Sequence, residues 1–252
     1  MPTAAGLYYF AHEAENKTRP PAILIHGAGG SQLSWPPQIR RLNGQRVLTV
    51  DLPGHGKSEG AGRQEISEYA LDIIAFMKAL KLRGAVIVGH SMGSAIALTL
   101  AAQYPKQVLG LGLLGSGAKL RVAPAILDLT ANADTFSNAV KFVIAHSFSE
   151  QADARLKELS IKQMSETRAP VLYGDFLACD AFNMLDELPR VQTRTLILCG
   201  EKDEMTPPKF SETLRDGIPG AQLEIVPEAG HMLMLEQPNA VAKSLEQFLN
   251  TF

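Results

Sequence analysis

The chain has 252 residues, with 24 Lys and Arg against 26 Asp and Glu and a formal net charge of −2 at pH 7. That length can bury one large core, and the near-balanced charge leaves no basic surplus to neutralise phosphates or hold an anionic membrane, which excludes nucleic acid as the expected partner. The two cysteines, Cys179 and Cys199, lack C-x-x-C spacing, which argues against a disulfide framework and a thiolate metal site; Met1 to Phe10 lacks the basic flank and apolar stretch of a secretory signal, and no apolar run approaches the roughly 18 residues of a membrane span. The expectation is a cytoplasmic protein with no metal and no stable membrane insertion.

In chain order, Leu7 to Phe10 is the one convincing strand before the first core strand, and the polar stretch Glu13 to Pro21 reads as a loop. Ala22 to Ile25 is the first short β-branched or leucine-rich run, followed by Val47 to Val50, Ala85 to Val88, Val108 to Leu114, Thr195 to Cys199 and Leu223 to Val226, all reading as buried parallel strands. Between the second and third lie Ile66, Tyr69, Ala70, Ile73, Ile74, Met77 and Leu80, whose three-and-four spacing paints one apolar helical stripe. Met92 to Tyr104 is apolar nearly all round and rich in small residues, so it predicts a helix buried against the sheet and stopped by Pro105. From about Lys119 to Arg190 strand-like runs vanish, and helical patterns such as Phe136, Val140, Val143 and Ile144 follow one another. Residues 119–190 are therefore expected to be an inserted helical cap, and residues 1–118 with 191–252 an α/β core closed by a helix over Asn239 to Phe252.

Chemistry concentrates where predicted strands end. Gly89-His90-Ser91-Met92-Gly93 follows the strand Ala85 to Val88 and opens the apolar helix, the context in which a strained turn presents the central serine alone. Side chains two before and two after that serine would collide, hence glycine at both positions. A serine hydroxyl needs an imidazole base and a carboxylate to orient it. His231 follows the strand Leu223 to Val226, and Asp203 follows Thr195 to Cys199, with Glu201 and Glu204 as neighbouring competitors. An oxyanion would need preorganised N–H donors; the amide of Met92 and one from the turn His26-Gly27-Ala28-Gly29-Gly30, that of Ala28, are the candidates. That turn lacks the lysine of a P-loop and the G-x-G-x-x-G register of a nucleotide site.

With Asp51-Leu52-Pro53-Gly54-His55-Gly56-Lys57-Ser58 and the pairing of Gly230-His231 with Glu236-Gln237-Pro238, these motifs resemble the α/β-hydrolase superfamily, particularly its small capped esterase-like members, over nearly the whole chain. The resemblance implies a mostly parallel central sheet with helices on both faces, and a triad of Ser91, Asp203 and His231. The activity it implies is that of a carboxylesterase-like serine hydrolase acting through an acyl-enzyme, without a cofactor, on a small ester with an apolar portion. Thioesterase, lactonase and carbon–carbon bond hydrolase activities use the same three groups, the last disfavoured because Met232 stands where such enzymes often carry an aromatic residue. A small-ligand receptor is the reading from outside the enzymes. His26 and His55 are expected to hold loops, Trp35 to line an acyl pocket or pack the first helix, and Phe136, Phe142 and Phe148 to form apolar cap faces. Members usually carry an antiparallel strand pair before the first motif, so this sheet is expected to be one strand short.

Overall fold

The computed structural model describes residues 2–14 and 19–252, so part of the expected loop Glu13 to Pro21 lies outside the described residues. Eight strands, β1 (Thr3–Ala4), β2 (Leu7–His12), β3 (Ala22–Ile25), β4 (Val47–Val50), β5 (Ala85–His90), β6 (Val108–Leu114), β7 (Thr195–Gly200) and β8 (Gln222–Val226), form one sheet in the order β1-β2-β4-β3-β5-β6-β7-β8. The pairs β1–β2 and β2–β4 are antiparallel and every later pair is parallel.

The expected shortfall of one strand is thus corrected. β1 is only two residues long and reaches β2 through a turn with Ala5 at φ 50°. Gly6 follows at φ 81°, but with alanine before it the turn carries only the glycine half of the Asn-Gly signal by which such hairpins are read from sequence. β8 departs from expectation in the other direction. It closes the sheet as an edge strand, and Gln222, Glu224 and Ile225 are exposed, so only Val226 is buried as a core strand would be.

Successive residues of a strand face opposite sides of a sheet, and the core divides accordingly. Ile23, Ile25, Ala85 and Ile87 pack into one apolar cluster, Ala22, Leu24, Val86 and Val88 into another. The second face carries α1 (Pro37–Arg40), while α2 (Ile66–Ala79) and α3 (Met92–Gln103) cover the first. In α3 every residue from Met92 to Ala101 is buried, as its all-round apolar sequence requires. Trp35 is fully buried with Leu24 and Ile39, so of its two expected roles packing is the one observed.

Four α-helices, α4 (Pro124–Ala131), α5 (Phe136–Ser147), α6 (Ala154–Ser165) and α7 (Ala169–Ala181), and a 3-10 turn over Leu185–Arg190 separate β6 from β7. The α-helices have an apolar cluster of their own, built on Val140, Val143, Ile144, Leu172 and Phe176. The ends of this segment meet, through an antiparallel bridge between Lys119 and Asn183 and a 2.8 Å bond from the Met184 amide to the Ala118 carbonyl. After β7 come α8 (Pro208–Gly217), α9 (Leu233–Glu236) and α10 (Pro238–Leu249), which lays Val241, Leu245 and Leu249 on the second face of the sheet. Among the described residues no helix is long and apolar enough to cross a membrane.

The strand order reverses between β3 and β5: β4 lies on one side, β6 to β8 on the other. Open parallel sheets form their binding crevice beyond the carboxyl ends of the strands at such a reversal. Ile87, fully buried at the centre of β5, tests the packing beneath that crevice. Ile87→Ala is expected to lower the unfolding free energy by about 2–5 kcal/mol, read from the urea midpoint at unchanged slope.

Candidate active site

Ser91 sits between β5 and α3 with φ 53° and ψ −119°, a backbone conformation that costs a non-glycine residue about 1–3 kcal/mol. The turn is held by the Ser91 amide, which donates to the Leu114 carbonyl at 2.9 Å, and by the Ser94 amide, which donates to the Ser91 carbonyl at 2.8 Å. The two flanking glycines have the steric origin expected of them. A β-carbon on Gly89 would overlap the Gly93 carbonyl, and one on Gly93 would overlap the carbonyl of Ile25 at the end of β3. The helix therefore runs in direct backbone contact with the neighbouring strand.

His231 lies in the loop between β8 and α9, and Asp203 in the loop between β7 and α8. Both are buried, and His231 Nδ1 is 2.9 Å from Asp203 Oδ2. The carboxylate accepts three further hydrogen bonds: from the Met205 amide at 2.9 Å, the Thr206 amide at 2.8 Å and the Thr206 hydroxyl at 2.8 Å. The Thr206 oxygen is also 3.2 Å from His231 Nδ1, so one threonine braces both members of the pair. Burial by itself would raise the Asp203 carboxyl, but His231 and the hydrogen bonds from His231 and Thr206 outweigh it and hold the group below its ordinary value. Glu201 faces away, accepting the Glu228 amide and pairing with Lys202.

Ser91 and His231 line two cavities in common, of about 60 and 280 Å³, together with Ala28, Phe176 and Met205. The Ser91 hydroxyl makes no hydrogen bond to a described residue, and neither does His231 Nε2. The amides of Ala28 and Met92 likewise donate to none of the described residues. The smaller cavity borders the glycine turn Gly27 to Gly30, and the larger is walled by Leu120, Val122, Ile126, Phe142 and Phe210. Of the three phenylalanines expected to form apolar faces, Phe142 lines that cavity, whereas Phe136 and Phe148 pack inside the helical segment.

Four histidines are buried around the site in two ring pairs, His90 with His231 at 4.7 Å between centroids and His26 with His55 at 4.9 Å. His90 Nε2 donates to the His231 carbonyl at 3.0 Å, and burial, reinforced by the adjacent His231, pushes its pKa down to about 3. His26 Nε2 accepts the Leu52 amide at 3.1 Å while Nδ1 donates to the Gly27 carbonyl at 2.8 Å. It is a neutral ring, lowered to about 3 by burial and then by His55. His26 and His55 hold loops, as expected of them.

Two further side chains shape the site: Glu236, which belongs to the C-terminal motif, and Asp175, which belongs to none. Glu236 accepts the Gly230 amide at 2.9 Å and the Ser149 amide at 3.0 Å, tying the His231 loop to the end of α5. Asp175, on α7, accepts from the Gly29 amide at 2.8 Å, His55 Nε2 at 2.8 Å and the Tyr69 hydroxyl at 2.6 Å. Burial alone would lower the His55 pKa, but the Asp175 carboxylate raises it above its ordinary value. Asp175 shares α7 with a second acid, Asp180, and no local pattern sets it apart.

With this geometry in place, comparison with known proteins gives consistent matches. A model of the alpha/beta hydrolase family matches residues 22–244. A dihydrolipoyllysine-residue acetyltransferase component of the acetoin cleaving system from Pseudomonas putida is 28% identical over 91% of this chain, which spans 63% of that protein's length. A 2-hydroxymuconate semialdehyde hydrolase, also from Pseudomonas putida, is 28% identical over 91% of this chain and 86% of its own. The solved structure of a thermophilic esterase superposes with a TM-score of 0.82 at 29% identity, over 97% of this chain and 98% of its own.

A carboxyl held below its ordinary value of 3.8 gives stability that is fully present above that value and is lost as pH falls through the lower folded value. Asp203→Asn is therefore expected to be less stable than the parent at neutral pH yet to lose less stability on acidification below about pH 4. Urea unfolding across pH measures both; parallel losses in the two proteins would contradict the depressed carboxyl.

Proposed function

We propose that this chain, which belongs to the alpha/beta hydrolase family, is a serine hydrolase that cleaves carboxylic esters through an acyl-enzyme on Ser91. The observation that carries the reading is a strained serine sharing its cavities with an imidazole whose Nδ1 is fixed by Asp203. The bond to Asp203 places a proton on Nδ1 and leaves Nε2 as the basic nitrogen on the cavity side.

Ser91 Oγ attacks the ester carbonyl carbon while His231 Nε2 takes its proton. The carbonyl oxygen becomes an oxyanion, stabilised by the amides of Ala28 and Met92, which the fold leaves without described partners. The oxyanion sits near the N-terminus of α3, where the helix dipole also favours negative charge. Collapse expels the alcohol, which leaves with the proton held by His231. Water then gives a proton to the same nitrogen and attacks the acyl carbon, releasing the acid and restoring Ser91. Asp203 remains ionised throughout, orienting the ring and stabilising the imidazolium. No cofactor is required in this cycle.

The helical segment 119–190 serves as the cap over this chemistry, and the apolar walls of the 280 Å³ cavity favour an ester with an apolar portion. Ser91→Ala and His231→Ala are expected to lower turnover of p-nitrophenyl esters by a factor on the order of 10⁴–10⁶. A fluorophosphonate probe is expected to label the parent and not Ser91→Ala. Full turnover in either variant defeats the assignment, and an unlabelled parent protein favours a ligand-binding role instead.

A further inference from the structure

The inserted helices hold the glycine turn after β3 by both sides of one residue. The Gly29 amide donates to Asp175 at 2.8 Å, and the Gly29 carbonyl accepts from the Thr167 hydroxyl at 3.1 Å. Two positions on, the Ser31 hydroxyl accepts from Gln163 at 2.7 Å. Gly29 itself stands at φ 62°, and a β-carbon there would lie 2.8 Å from Leu172 and 3.1 Å from Met164, so the segment presses directly on the turn. Ala28, whose amide is the proposed oxyanion donor, is the preceding residue.

Asp175 is fully buried, and His55 supplies its counter-charge. His55 Nε2 is 2.8 Å from Asp175 and His55 Nδ1 is 3.0 Å from the Pro53 carbonyl. Both ring nitrogens face acceptors, so both carry protons and the ring is an imidazolium. The pair is therefore net neutral. A lone carboxylate bonded to the Gly29 amide would repel an oxyanion forming one residue away, whereas a carboxylate paired with an imidazolium can hold the turn with that repulsion largely cancelled.

We propose that Asp175, paired with His55, is a positioning residue for the oxyanion turn, so that the helical segment sets the turnover step as well as covering the site. This rests on the ester-hydrolase reading above. A turn that has lost its anchor still admits substrate but presents the Ala28 amide poorly to the tetrahedral intermediate, which lowers kcat with little change in KM.

The test compares the full chain with Asp175→Ala, Asp175→Asn and Thr167→Val, using p-nitrophenyl ester kinetics and deuterium exchange of residues 27–30 followed by mass spectrometry. Asp175→Ala is expected to lower kcat by about 100-fold, with KM within a few-fold, comparable to the loss of one oxyanion donor. Asp175→Asn keeps an acceptor for Gly29 and is expected to recover to within about 10-fold of the parent. Thr167→Val, which removes only the second clamp, is expected to fold even if Asp175→Ala does not and to show the same kcat-selective loss at smaller size. Faster exchange of the turn is expected in Asp175→Ala and in Thr167→Val. Unchanged kcat in the variants, a loss confined to KM, or unaltered exchange of the turn overturns the inference. A parent protein without ester turnover defeats the functional reading instead, and the exchange measurement then still decides whether these side chains hold the turn.

Discussion

The site depends on one steric contact, the backbone-to-backbone approach of α3 to the end of β3. Gly93 lies where any side chain would strike the Ile25 carbonyl, and Gly89 where any side chain would strike Gly93. Only with both positions bare can β5 turn into α3 tightly enough to leave Ser91 alone at the tip. The same contact draws the first amides of α3 beside the turn that follows β3. The proposed nucleophile and both proposed oxyanion donors are thus set by a single packing constraint, and the fully buried surroundings of α3 carry the strain stored at Ser91.

The helical segment between β6 and β7 is bound to the core on two sides of that contact. On one side Asp175, Thr167 and Gln163 reach the turn after β3. On the other, the Ser147 carbonyl accepts the Met232 amide at 2.9 Å, and Glu236 joins the Ser149 and Gly230 amides. A loosely hinged lid would not place its polar bonds at the two loops that matter most for the proposed chemistry. These bonds tie the segment's position to the shape of the site, so a change in its packing reaches the Ala28 amide and the His231 loop together.

The elbow was legible in the sequence because its sterics admit few alternatives: a strand, glycine, serine and glycine at fixed spacing, then an all-round apolar helix. Asp203 and His231 were legible because each follows a strand whose carboxyl end must lie at the same edge of a parallel sheet. What escaped had no local pattern. β1 is two residues long and turns through Ala5 and Gly6, with alanine where asparagine would have announced the hairpin, and β8 looked buried because an edge position is decided by strand order. Asp175 shares its helix with Asp180 and had no mark of its own, and its partners Gly29 and His55 lie 146 and 120 positions away, beyond any spacing rule. Trp35 could not be assigned to core or pocket from its neighbours, because a lone aromatic residue does not say which face of the sheet its helix will cover.

The two histidine pairs explain why the proposed chemistry falls to one ring among four. In each pair burial and the neighbouring imidazole drive one ring neutral, His26 or His90, with pKa values near 3. A carboxylate accompanies the other ring, Asp175 with His55 and Asp203 with His231. The pairs differ in which nitrogen the carboxylate takes. Asp175 engages His55 Nε2 while the Pro53 carbonyl occupies Nδ1, so both nitrogens are committed and the ring can only hold charge. Asp203 engages His231 at Nδ1, and Nε2 makes no hydrogen bond to a described residue. The same buried imidazole–carboxylate unit thus stands once as a fixed ion pair and once as the proposed proton relay, and the choice rests on which ring nitrogen is left facing the cavity.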